Sequence, residues 1–205
     1  MKHSERLQRA INAFRVNDYE VAERLTSELV QDYPDLSSAH VLLGTIYGRQ
    51  KRYAPAIKAY EQAIALHPKH AEAYNNLAVI YRQTGDTQRA LETVQRALKY
   101  NGADGHILYN LGNIHKDLGN YPEAIDAYER AVALKPDLSV AYNNLGTLYD
   151  AQGRYEEAIE VYQRGLKYDE NHPTLQYNLG NSYQALERYQ EALHSYETAR
   201  RSRPG

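Results

Sequence analysis

Apolar residues recur along this chain as two alternating stripes. Tyr74, Leu77, Ala78 and Tyr81 form one, and Ala90, Leu91, Val94, Ala97 and Leu98 form the next. Spacings of three and four put such residues on one face of an α-helix. Gly85 separates the stripes, where glycine suits the left-handed backbone that ends a helix. The pattern predicts a helix–turn–helix hairpin, repeated at a period of 34: Ala22, Ala56, Ala90, Ala124, Ala158 and Ala192 form an unbroken series. Tyr47, Tyr81, Tyr149 and Tyr183 keep the same frame, with His115 in the remaining slot as a packed, hydrogen-bonded stand-in for tyrosine.

With position 1 of the third repeat at Ala71, positions 4, 7, 8 and 11 carry a large residue, Leu, a small residue and an aromatic. The second helix is expected from about position 17 to position 30, and Pro34, Pro68 and Pro136 stop it at position 32, as does Pro204 in the last repeat. Pro122 sits in a first turn, where its missing N–H is harmless. Neither helix can bury its stripe alone, so stacking of hairpins must provide the core. The expected fold is all-α: a right-handed superhelical α-solenoid of six helix-turn-helix units, one array over residues 1–205. The repeats fall at about 4–36, 37–70, 71–104, 105–138, 139–172 and 173–205.

The first repeat departs from the frame. Leu7, Ala10, Ile11 and Phe14 fit positions 4, 7, 8 and 11 only if it starts at Ser4, whereas Tyr19, Ala22 and Pro34 need the standard frame, so a turn shortened by one residue is expected. At the other end, Arg200 and Ser202 replace the apolar residues of positions 28 and 30, as at an edge.

Composition narrows the chemistry. Net charge is only −2 with no basic run, which argues against nucleic acid. The absence of cysteine removes thiolate metal sites and cysteine nucleophiles and fits a reducing compartment, so a cytoplasmic location is expected. No apolar stretch is long enough for membrane insertion. The chain has 20 Tyr, one Phe and no Trp, so its large aromatics carry hydroxyls and are expected near a surface. His67 and His70 lie in an inter-repeat loop without acidic or thiol companions, so no metal is expected there. No phosphate loop, nucleophile elbow or paired acid/base constellation occurs. Neither catalysis nor a cofactor is expected.

At 100° per residue, positions 2, 5, 6, 9, 12 and 13 fall opposite the packed stripe of each first helix. Position 6 of the last four repeats is Asn76, Asn110, Asn144 and Asn178; position 5 alternates Asn75, Tyr109, Asn143 and Tyr177; position 9 holds Asn113 and Asn181, with Asn12 in the shifted first repeat. Asparagine is a poor helix-interior residue, so helix formation does not explain the row. An amide donates and accepts, which matches an extended peptide backbone whatever its side chains. With first helices about 10 Å apart and about 3.3 Å per ligand residue, one rung would meet roughly every third residue. Such binding should be about micromolar. The alternative for the amides is bonding between neighbouring repeats. Val41 and Leu42 end the row at an apolar spot; Leu42 either packs on the first hairpin or seats a ligand side chain.

The pattern large-x-x-Leu-Gly/Ala-x-x-Tyr, followed by Gly, Tyr, Ala, Tyr, Ala and Pro at their offsets, resembles the tetratricopeptide repeat. The resemblance implies a non-catalytic scaffold that binds a protein or peptide in a concave groove lined by the first helices. Alternatives are a self-associating assembly protein joined through open solenoid ends, or the targeting domain of a larger protein. Asn76, Asn110, Asn144 and Asn178 resemble the asparagine ladder in the repeat domain of O-linked N-acetylglucosamine transferase. The family's carboxylate clamp is not matched: position 5 is Gln8, Val41, Asn75, Tyr109, Asn143 or Tyr177, and position 2 is never Lys.

Overall fold

The structure is a computed structural model that describes residues 3–202. Its described residues form twelve helices and no strands: α1 (His3–Arg15), α2 (Tyr19–Asp32), α3 (Ser37–Arg49), α4 (Tyr53–Leu66), α5 (Ala71–Gln83), α6 (Thr87–Asn101), α7 (Gly105–Asp117), α8 (Tyr121–Leu134), α9 (Ser139–Asp150), α10 (Tyr155–Leu166), α11 (Pro173–Ala185) and α12 (Tyr189–Arg201). The fold is an all-α solenoid of helix hairpins. It divides at Gly102/Ala103 into two compact units of three hairpins each. Within each unit a helix packs on its hairpin partner, and each second helix packs on the first helix of the next hairpin. Pro204 falls outside the described residues. No helix of the described residues is long and apolar enough to cross a membrane.

One turn geometry closes all six hairpins. Position 15 has positive φ each time: Asn17, Lys51 and Glu187 near 60°, and Gly85, Gly119 and Gly153 between 72° and 80°. The following residue donates its N–H back to the carbonyl of position 11 at 2.9–3.0 Å, as in Arg52 to Tyr47 and Arg154 to Tyr149. This six-to-one bond satisfies a carbonyl that the helix end leaves open.

The turn corrects the reading of the first repeat. Asp18 donates to Ala13, not to Phe14, so Ala13 is position 11 and the turn is as long as the others. The register of α1 is standard; its apolar pattern is rotated by one residue. Ala10 therefore occupies position 8 and is fully buried. Leu7, Ile11 and Phe14 come to positions 5, 9 and 12, where they are half-buried, and Asn12 is an exposed residue that accepts from Gln8 at 3.0 Å.

The tyrosines are also placed differently from expectation. Tyr74, Tyr128 and Tyr162 are among the most deeply buried side chains. Four glycines at position 8 make room for the rings of position 24. A Cβ on Gly44, Gly112, Gly146 or Gly180 would lie 2.8, 2.5, 2.3 or 2.6 Å from Cε1 of Tyr60, Tyr128, Tyr162 or Tyr196. Where position 8 is alanine the facing residue is smaller: Ala10 with Thr26, and Ala78 with Val94, all buried. Each ring thus slides beneath its own first helix, where its hydroxyl finds a protein acceptor. Tyr74 is the exception at position 4: its hydroxyl is buried without a hydrogen-bond partner, as is Nδ1 of His115, which therefore packs as expected but does not gain a hydrogen bond there.

Burial of these phenols has a pH consequence. Burial pushes the Tyr60 phenol up to about 12, and burial, helped by Asp150, moves Tyr162 upward as well. In the unfolded chain both titrate near 10, so the stability from keeping them neutral is complete below about pH 10 and is lost as pH rises beyond it. Tyr60 and Tyr162 should therefore ionise only as helical circular dichroism collapses above about pH 10. A single phenolate transition near pH 10 with intact helices would contradict this.

Candidate functional site

The predicted binding face consists of first-helix residues, and each unit holds part of it. The second unit brings together Tyr109, Asn110 and Asn113 of α7, Asn143 and Asn144 of α9, and Tyr177, Asn178 and Asn181 of α11. Asn75 and Asn76 belong to α5 in the first unit, where Asn76 lines a cavity of about 290 Å³ with Thr45, Arg49, Tyr60 and Val79.

In the second unit the amides bond from hairpin to hairpin. Asn144 donates from Nδ2 to Oδ1 of Asn113 at 2.8 Å, and Asn178 donates in the same way to Asn143 at 2.8 Å. Asn113 also accepts from the Tyr128 hydroxyl at 2.8 Å, so both lone pairs of its buried oxygen are used. Asn110 and Asn113 are only 6% and 2% exposed. The amide row is thus partly an internal polar zipper, which explains how asparagines persist in these helices against their propensity.

Position 9 is where the zipper meets the buried tyrosines. Tyr60 donates to Thr45 at 3.1 Å, Tyr128 to Asn113, and Tyr196 to Asn181 at 2.9 Å. In the fifth repeat Tyr162 reaches Asp150 at 2.7 Å instead. The sequence reading missed these partners, although the signal was present: glycine at position 8 always accompanies tyrosine at position 24.

What remains open to a ligand is narrower than the full row. Tyr177 is 48% exposed with its ring 5.6 Å from that of Tyr196, and Asn181 beside it is exposed. Asn143, Asn144 and Asn178 are half-buried, and Tyr109 tilts against Tyr128 at 6.0 Å. A cavity of about 410 Å³ opens here, lined by Tyr177, Asn181, Gln184, Tyr196, Ala199 and Arg200. The surface offers amide donors and acceptors beside an aromatic face, chemistry suited to holding a backbone. No cluster of His or acidic residues able to hold a metal occurs among the described residues.

The sequence matches the tetratricopeptide repeat over residues 7–57, 41–106, 103–171 and 151–205. No curated protein matches it. Among solved structures it is similar to MamA, at 24% identity and TM-score 0.68 over 78% of this chain and 94% of that one. YrrB, described as a tetratricopeptide repeat protein with an unusual peptide-binding site, is 21% identical at TM-score 0.63, covering 87% of this chain and 92% of its own. PilW, described as a widely conserved type IV pilus biogenesis factor, is 19% identical at TM-score 0.81, covering 94% and 90%. At these identities the structural likenesses establish the fold.

Proposed function

The chain belongs to the tetratricopeptide repeat family, and on that premise we propose that it is a non-catalytic, cytoplasmic scaffold whose second unit holds an extended polypeptide along the face of α7, α9 and α11. The observation that carries this reading is the exposed pairing of Tyr177 and Asn181 beside half-buried Asn143, Asn144 and Asn178. The zipper holds these amides in place before a ligand arrives, which lowers the ordering cost of binding. The likeness to an asparagine ladder enters in this reduced form: Asn178 and Asn181 face the ligand, while Asn110 and Asn113 act mainly from beneath. Asn75 and Asn76 offer similar chemistry on the first unit.

The test starts from decapeptides selected on the whole chain from a random display library. Tyr177→Ala combined with Asn178→Ala should weaken the selected peptides at least tenfold, about 1.4 kcal/mol, while helical circular dichroism shows the chain still folded at the assay temperature. Peptides that bind this variant within twofold of the parent chain would place the binding surface elsewhere.

A further inference from the structure

We propose that the first unit carries a separate docking site, on α1 and α3, for a peptide segment that places bulky apolar side chains between carboxylates. Its floor results from the one-residue rotation of the apolar pattern in α1. At positions 5, 9 and 12 the third to sixth first helices present polar residues or tyrosine, apart from Val79. There α1 instead presents Leu7, Ile11 and Phe14, and α3 adds Val41 and Leu42.

These five side chains line one cavity of about 340 Å³, with Ser38, Thr45, His70 and Glu72 completing its wall and Arg15 at its rim. That volume lies at the lower end of the range for ligand pockets, about 300–1,000 Å³. Leu42 therefore does both things its sequence position allowed: it packs beside the first hairpin and faces the opening. Apolar side chains gathered at an opening to solvent call for a function.

Charge identifies the occupant. Arg15 and Arg49 end α1 and α3, are exposed, and form no ion pair among the described residues, whereas other arginines commonly pair, as Arg52 does with Glu23 and Arg164 with Glu129. Their favourable placement at helix C-termini explains a basic residue at each position. It does not explain why Arg15 rims the apolar cavity while Arg49 lines the adjoining one, with Thr45 shared between the two. Adjacent first helices are about 10 Å apart, close to three residues of extended chain, so carboxylates spaced by three would meet both guanidiniums. Glu72 lies at the N-terminal end of α5, so the opposite edge is acidic and favours one peptide orientation.

The probe is a fluorescein-labelled decapeptide with a central Leu-Leu-Phe flanked by glutamates, titrated against the whole chain by anisotropy. Two controls replace its glutamates by lysine or its apolar residues by serine. The acidic apolar peptide should bind with affinity that falls as salt rises, and each control should bind at least tenfold more weakly. Arg15→Gln with Arg49→Gln, on exposed positions, should weaken the peptide at least tenfold with only a small shift of the melt, and Leu42→Gln should weaken it as much while helical circular dichroism is retained. Tyr177→Ala with Asn178→Ala should leave it unaffected, which separates this site from the one proposed on the second unit. Equal affinity for the glutamate and lysine peptides, no binding at millimolar concentration, or no effect of the arginine changes would overturn the proposal. A dimer in sedimentation that Leu42→Gln dissociates, without peptide binding, would assign the surface to a second copy and overturn it as well.

Discussion

Replacing Gly146 by alanine should destabilise the protein by about 3 kcal/mol, lowering its melting temperature by roughly 5–10 °C. The added Cβ would stand 2.3 Å from Cε1 and 2.5 Å from Cζ of Tyr162. That ring is fully buried and its hydroxyl is tied to Asp150 at 2.7 Å, so it cannot swing aside without breaking the bond. An alanine for glycine in a helix interior gains only about 1 kcal/mol, too little to offset the collision. The sign should reverse when the ring is removed. In a Tyr162→Val background, which reproduces the residues found together at Ala78 and Val94, Gly146→Ala should be neutral or slightly stabilising. A double-mutant cycle with melting or denaturant titration checks this, and equal cost in both backgrounds would show that the ring and the glycine are not coupled.

Asn113→Leu should cost a further large amount, about 2–4 kcal/mol. Its buried oxygen is the shared acceptor for the Tyr128 hydroxyl and the Asn144 amide, and the substitution removes both bonds, leaving the Asn144 amide a longer one of 3.4 Å to the Tyr109 hydroxyl. Removing one partner of a buried hydrogen bond costs about 1–3 kcal/mol. Tyr128→Phe removes one of those donors and should by itself cost about 1 kcal/mol. Added to Asn113→Leu, it should recover part of the loss, because the hydroxyl whose bond to Asn113 was removed is itself gone. If Asn113→Leu melts like the parent chain, Asn113 is not a structural anchor and its place on the ligand-facing surface would have to be reconsidered.

The hairpins were legible from the sequence because each local signal agrees with the others. The alanine series, the position-15 residues and the prolines mark the same 34-residue unit, and the helix bounds follow from them. The first repeat misled the reading because Leu7, Ile11 and Phe14 imitate the core stripe one residue late. Hydrophobic spacing cannot tell a core face from a second apolar face; only the Asp18-to-Ala13 hydrogen bond fixes the frame. The candidate site was legible as residue types and not as roles. Amides at positions 5, 6 and 9 were visible, but whether an amide faces a ligand or a neighbouring hairpin depends on side-chain direction. The tyrosine beneath Asn113 comes from another helix, and no spacing within α7 indicates it.

The two kinds of contact that hold this protein together differ in reach. The glycine and tyrosine of positions 8 and 24 belong to one hairpin, so a segment copied or exchanged as a whole hairpin carries its own matched pair. The amide rungs of Asn144 with Asn113 and Asn178 with Asn143 run between hairpins and so record which hairpin follows which. Shape complementarity is thus inherited with the module, while neighbour identity is written into its edges. A duplicated hairpin would arrive already folded within itself and would have to acquire only its amides to join the row.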